Sequence, residues 1–235
     1  MKKLIRRIIV VVLILCLCAV GYFAALGYTM YYSVTNERSI EDRINDIRSR
    51  DNYTELSDIP EIYKEAVIAV EDSRFYEHSG VDFISLGRAI FVNVKNNELS
   101  QGGSTISQQL AKNLLFSHQQ SLSRKVAEVY ATCYLEKHYS KDEILELYMN
   151  IIYYGDGYYS IYDASKGYFG VEPQGMTDYQ ATMLAGIPNA PSVYAPTKNP
   201  DLAEKRQDKV LERMVETEVL TVDEKNKILQ ERENR

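Results

Sequence analysis

The sequence predicts a mainly α-helical protein carried on one transmembrane helix, and three observations lead there. No charged side chain lies between Arg7 and Glu37, and within that stretch Ile8 to Leu26 is an almost continuous run of Ile, Val, Leu, Ala and Cys. Beyond it, apolar residues recur at helical spacing, while few stretches alternate apolar and polar at a period of two. Ser, Thr and Asp stand repeatedly just ahead of those periodic runs, where the first amides of a helix need acceptors. The 235 residues are 45% apolar and 26% charged, a globular balance that excludes a disordered, collagen-like or disulfide-dense chain.

The first element is the anchor. From Ile8 to Leu26 a helix rises about 28 Å, close to the roughly 30 Å thickness of bilayer hydrocarbon. A cleaved signal peptide usually has about 7 to 15 apolar residues followed by a small-x-small site; the longer run here, with no convincing site, reads as an uncleaved span over residues 8–28. Lys2, Lys3, Arg6 and Arg7 precede it and all 33 acidic residues lie at or after Glu37. The positive-inside rule therefore puts residues 1–7 in the cytoplasm and the bulk of the protein outside. Tyr28, Tyr31 and Tyr32 fall where an interfacial aromatic belt sits. The outer part has 23 basic against 33 acidic residues, a formal charge of −10. That excludes a general binder of nucleic acid, whose footprint is basic. Cys16 and Cys18 lie in the span and only Cys133 beyond it, so no internal disulfide is expected outside.

The remaining elements follow in order. Ile40, Ile44 and Ile47 have helical spacing in a charged segment, which suggests an amphipathic stalk over residues 29–58, ahead of a folded domain over 59–235. Ser57-Asp58-Ile59-Pro60 is a cap-and-proline start for a helix from Ile62 to Val70. Phe83 to Val94 is periodic until Ser100 to Gly103 breaks it. Ser104 is placed to cap a helix through Leu115, a further helix runs through Lys137, and Ser140 with Glu143 makes a capping box for one through Ile152. Thr177 to Ile187 is helical, and Pro200 to Val219 and Val222 to Glu231 are rich in the i,i+4 charge pairs of solvated faces.

Four polar clusters interrupt this scaffold. In the first, an apolar helix ends in Glu71 and Asp72. A carboxylate at such an edge is a candidate for the raised pKa of a general acid or base, and a solvated helix end is the plainer alternative. His78 has no second His or Cys at ligand spacing, so no zinc site is expected. In the second, Gly102-Gly103 precedes Ser104, Thr105, Gln108, Gln109 and Lys112. Helix amino termini attract phosphate and the lysine adds a full charge, but an ordinary capped loop has the same look. In the third, Arg124 and Glu128 are one turn apart beside Lys125, either as an i,i+4 ion pair or as a cation pair for pyrophosphate next to a carboxylate. The fourth, Lys141 to Asn150, has a buried stripe of Ile144, Leu145, Tyr148 and Ile152 and reads as scaffold.

Together these clusters resemble the peptidoglycan glycosyltransferases of family 51. The pattern E-D-x-x-F-x-x-H-x-G is matched by Glu71, Asp72, Phe75, His78 and Gly80, and G-G-S-T-I-x-Q-Q by Gly102 to Gln109. R-K-x-x-E is matched by Arg124, Lys125 and Glu128, K-x-x-I-L-E-x-Y-x-N by Lys141 to Asn150, and the closing motif by Leu184 to Ser192. The resemblance implies a lysozyme-like α-helical lobe, a smaller membrane-proximal lobe and a cleft that takes lipid II and the growing lipid-linked glycan. It implies Glu71 as the general base, with Lys112, Arg124 and Lys125 neutralising the undecaprenyl pyrophosphate leaving group. Glu128 would orient those cations or the donor, and Asp72, Phe75, His78, Ser104, Thr105, Gln108 and Gln109 would serve substrate binding. No organic cofactor and no protein metal site are implied, only a divalent cation, Mg or Mn, with the pyrophosphate. The bilayer and penicillin-binding transpeptidases are the implied partners. The chain lacks the S-x-x-K tetrad of a transpeptidase half and so looks like a monofunctional enzyme.

Three departures stand out. Gln119, Gln120 and Ser121 occupy positions where a basic residue is common, Ser160 to Ser165 replaces a Gly-Ile-x-x-Ala-Ala stretch, and Val171-Glu172 stands where a lysine is frequent. Two other classes compete with the transferase: a membrane-bound lytic enzyme using Glu71 and Glu128 as a glycosidase pair, and a non-catalytic cell-wall scaffold.

Overall fold

The structure, a computed structural model, describes residues 2–96, 102–116 and 121–233, and its described elements are helices and short turns with no strand. Helix α1 (Lys2–Glu37) is unbroken, and its apolar part is long enough to cross a membrane. Up to Tyr22 its side chains are exposed; from Phe23 it packs along α6 (Leu122–His138). The contact is tight at Gly27, where a Cβ would lie 2.5 Å from Val126 Cγ1. Two of the expected interfacial tyrosines, Tyr28 and Tyr31, stand with ring centroids 5.5 and 6.1 Å from Tyr130 of α6.

Within the segment expected as a stalk, residues 40–47 pack into the main core. Ser39 caps α2 (Ile40–Arg48) by accepting from the Asp42 amide, and Ile40, Ile44 and Ile47 are 1 to 3% exposed in the main core. Their helical spacing was legible, but a three-isoleucine stripe is stabilised by burial, and the domain supplies a surface for it. A turn over Leu56–Asp58 then leads through Pro60 into α3 (Glu61–Glu71). Next come α4 (Phe83–Asn96), which exposes Phe83, Ile84 and Phe91, and α5 (Ile106–Leu115).

The cap of α5 is Thr105, not Ser104. The Thr105 hydroxyl accepts from the Gln108 amide at 3.2 Å, and the Gln108 side chain accepts in return from the Thr105 amide at 3.1 Å. This T-x-x-Q capping box satisfies two orphan donors at once, which a cap at Ser104 cannot do with Ser107 at its third position. Thr105→Ala is therefore expected to cost about 1 kcal/mol of unfolding free energy, checked by denaturant titration; a change below a few tenths would show that the box contributes little.

Behind α5 come α7 (Lys141–Met149), with the expected Ser140–Glu143 capping box, and α8 (Ile161–Phe169). Then follow α9 (Asp178–Gly186), α10 (Pro191–Tyr194), α11 (Pro200–Glu216) and α12 (Val222–Glu233). Helices α3, α5, α7, α9 and α11 meet in one core, where Tyr63, Ile106, Leu110, Tyr148 and Tyr154 are fully buried. The expected solvated face of α11 is only half the truth, because Ala203, Gln207, Val210, Leu211 and Met214 are buried against the core. The departures near α8 are absorbed by packing: Ser160 caps it, and the Ser165 hydroxyl donates to the Val171 carbonyl at 2.8 Å.

Candidate active site

Two cavities meet at the end of α3. The larger, of about 370 Å³, lies between the Ala69–Ser73 segment, the Gly102–Thr105 turn and α11; the smaller, of about 280 Å³, lies between that same turn, α5 and the start of α6. Val70, Glu71, Gly102, Ser104 and Asn189 line both.

Glu71 is the last residue of α3, which stops because Asp72 leaves helical geometry at φ −158°, ψ 73°. That break sends the two neighbouring carboxylates in different directions. Glu71 Oε2 accepts from Gln109 Nε2 at 2.7 Å, whereas Oε1 is enclosed and has no hydrogen-bond partner among the described residues. Burial pushes the Glu71 carboxyl above the ordinary carboxylate range, against the opposing pull of the Gln109 hydrogen bond and the Arg206 and Lys112 charges, with Asp72 adding to the rise.

Asp72 faces the frame. Its oxygens lie 2.9 and 3.0 Å from His78 Nε2, and one of them accepts from the Ile106 amide at 3.0 Å, tying the start of α5 to the end of α3. Burial raises its pKa and the His78 contact opposes that. Phe75 is fully buried with the Lys141 ammonium 4.4 Å from its ring centre, and the His78 side chain is nearly enclosed. Neither Phe75 nor His78 lines either of these two cavities among the described residues; both sit in the frame beside them. The Thr105 hydroxyl donates to the Gly80 carbonyl, where φ is +91° and a Cβ would lie 2.7 Å from Thr132 Cγ2. Thr105 reaches the edge of the larger cavity and Gln108 that of the smaller, though both are almost fully buried.

Two lysines, Lys112 and Lys125, line the smaller cavity. Glu128, 1% exposed, holds Arg124 Nε at 3.0 Å and Lys125 Nζ at 2.9 Å, and Lys125 also donates to Ser104 Oγ at 3.0 Å. The i,i+4 ion pair of R-K-x-x-E is present; Lys125 and Glu128 line the smaller cavity together with the exposed Lys112, whereas Arg124 lines neither cavity. Ser121, one of the departing positions, caps α6 by accepting from the Arg124 amide; Gln101, Gln119 and Gln120 lie outside the described residues.

Asp72, His78 and Asp82 bring possible ligand atoms within 4.8 Å of one another. They do not fit a metal ion, because every oxygen is already engaged. Asp82 takes Arg74 on both oxygens together with the Ile84 and Ser85 amides, and despite its burial the Arg74 charge holds it well below the usual carboxylate range.

Sequence reasoning missed the far wall of the larger cavity, formed by Arg206, Lys209 and Arg213 of α11 together with Asn189 and Arg88. The signal was present as basic residues at i, i+3 and i+7, one helix face, but it was masked by the acidic partners interleaved with them.

A family model described as Transglycosylase matches residues 37–215 of the chain. Penicillin-binding protein 1A/1B of Bacillus subtilis (strain 168) is 50% identical over 163 residues, covering 69% of this chain and 18% of that protein. Penicillin-binding protein 1F of the same organism is 39% identical over 222 residues, covering 89% of this chain and 31% of that one. The crystal structure of penicillin-binding protein 1A from Haemophilus influenzae aligns over 76% of this chain and 17% of that chain at a TM-score of 0.46 and 23% identity, too distant a likeness to argue from. The chain spans less than a third of the length of the two Bacillus relatives.

Proposed function

The chain belongs to the transglycosylase family, and from that membership we propose that it polymerises lipid II into β-1,4-linked glycan with release of undecaprenyl pyrophosphate. The 4-hydroxyl of the acceptor sugar attacks the anomeric carbon of the lipid-linked donor from the face opposite the diphosphate. The C–O bond to the diphosphate breaks, the hydroxyl proton passes to the Glu71 carboxylate, and the α-linked donor becomes a β-linkage. One observation carries this reading: the Glu71 carboxylate stands where two cavities join, and basic side chains line both. A base near neutral pH needs a raised carboxyl pKa, which burial supplies here.

In this mechanism Lys112, Arg124 and Lys125 neutralise the charge developing on the departing diphosphate, with Glu128 fixing the two α6 cations in place. Preorganised charge of this kind is usually the largest single contribution to catalysis. Ser104 and Gln109 face the reactants, while Asp72, Phe75, His78, Thr105 and Gln108 hold the carboxylate and the turn in register. A Mg or Mn ion would enter as the counter-ion of the diphosphate. With α1 in the bilayer and its basic end cytoplasmic, the domain works on the outer surface beside its lipid-borne substrate and beside penicillin-binding transpeptidases that cross-link the product.

The test is the full chain in detergent with labelled lipid II, across a range of Mg and Mn concentrations. Polymer is the expected product. Lipid II left as monomer throughout would sink the proposal, and shortening of preformed glycan in its place would establish the lytic alternative.

A further inference from the structure

Among the cations of the larger cavity, Arg206 differs from its neighbours on α11. Lys209 pairs with Glu212 at 2.7 Å, and Arg213 pairs with Glu216 at 2.9 Å while donating to the Ala69 carbonyl and Ser73 Oγ. Arg206 makes no ion pair among the described residues. Its Nε donates to the Gly186 carbonyl at 3.1 Å, and its guanidinium lies 5.8 Å from the Tyr194 ring centre. A Cβ at Gly186 would come within 3.0 Å of Arg206 Cγ, so the glycine is what lets the arginine stem lie there. The side chain is anchored by a neutral group and its charge is left for the cavity it shares with Glu71.

We propose that Arg206 is a positioning residue for Glu71, a fixed counter-charge that keeps the carboxyl ionised and ready to take a proton. The inference rests on the reading of Glu71 as the base. Around that carboxyl the charged or titratable groups are Asp72 beside it, Tyr63 on α3, Lys112 on α5, Tyr148 on α7 and Arg206 on α11. Asp72 opposes ionisation, and the two buried tyrosines stay neutral because burial lifts their pKa values. Lys112 is exposed, so solvent and salt screen it; Arg206 is only partly exposed and is screened less. A guanidinium stays charged throughout the working pH range, which a buried lysine does not guarantee.

The readout is the pH profile of kcat/KM for lipid II polymerisation by the full chain, whose acidic limb reports the base in the free enzyme. Arg206→Gln is expected to move that limb upward by about one pH unit, the lower end of what a nearby opposite charge does to a carboxyl. Arg206→Lys keeps the charge and leaves the limb within a few tenths of the wild type, and Lys209→Gln, whose charge is already paired, leaves it in place. Arg206→Met preserves the aliphatic stem and serves if the glutamine variant does not fold. A neutral variant that folds and slows uniformly at every pH, with its limb unmoved, overturns the inference and leaves polymerisation standing. A wild-type chain that makes no polymer overturns the functional reading instead.

Discussion

Glu71→Gln is expected to slow glycan polymerisation by about 10²- to 10⁴-fold, the contribution of a well-placed proton acceptor, and to make the folded domain more stable at neutral pH. Both effects have one origin. Glutamine has nearly the shape of glutamate and keeps an acceptor for the Gln109 amide, but it cannot take the hydroxyl proton. It also removes a carboxylate with one oxygen enclosed and unpartnered. Because burial raises the folded-state pKa above the unfolded one, the native state holds more protons across that interval, and the wild type loses stability as pH rises through it. The variant should therefore outlast the wild type in denaturant at pH 7, with the gap closing on acidification below the ordinary carboxylate range. Retention of more than a tenth of the wild-type rate would remove Glu71 from the role of base; a variant less stable at pH 7 would show that the carboxylate is better compensated than its hydrogen bonds indicate.

The second large effect is expected at Arg124. Arg124→Ala should lower polymerisation by about 10²- to 10³-fold, as loss of one preorganised donor to a developing anion does. It should also destabilise the fold by up to about 3 kcal/mol, the low end for breaking a buried pair, because Lys125 still holds the enclosed Glu128. The double variant Arg124→Ala with Glu128→Gln separates the two consequences. Removing the buried charge as well should return most of the lost stability and little of the rate. Steady-state rates and urea midpoints on the same preparations decide it: recovery of rate along with stability would mean that Arg124 serves the fold alone.

What was legible in the sequence and what was not divides along physical lines. Glu71, Lys112 and Lys125 were found because their chemistry is set by residue type at short spacing, and the structure puts all three on one pair of joined cavities. Phe75 and His78 share a motif with Glu71 yet line neither cavity, since neighbours in sequence past a helix end need not share a direction in space. Thr105 took the cap expected of Ser104 because a reciprocal partner three residues on outweighs first position in the turn. The stripe of Ile40, Ile44 and Ile47 gave the helix but not its destination, which depends on a surface made by distant segments. The same holds for α11: its charge pattern describes the face toward water and says nothing of what Arg206 meets on the other.

The contact between Gly27 and Val126 sets a height. Gly27 is the first residue past the apolar run Ile8 to Leu26, and Val126 follows directly on Arg124 and Lys125 in the first turns of α6. On the reading of α1 as the membrane span, this single unbroken helix would act as a gauge rod that holds these cations level with the edge of the hydrocarbon, where the phosphates of a bilayer lie. On the proposed function, a lipid-borne diphosphate would reach them by drifting sideways in its own leaflet with its tail still dissolved, and the search for substrate would cover a plane instead of a volume.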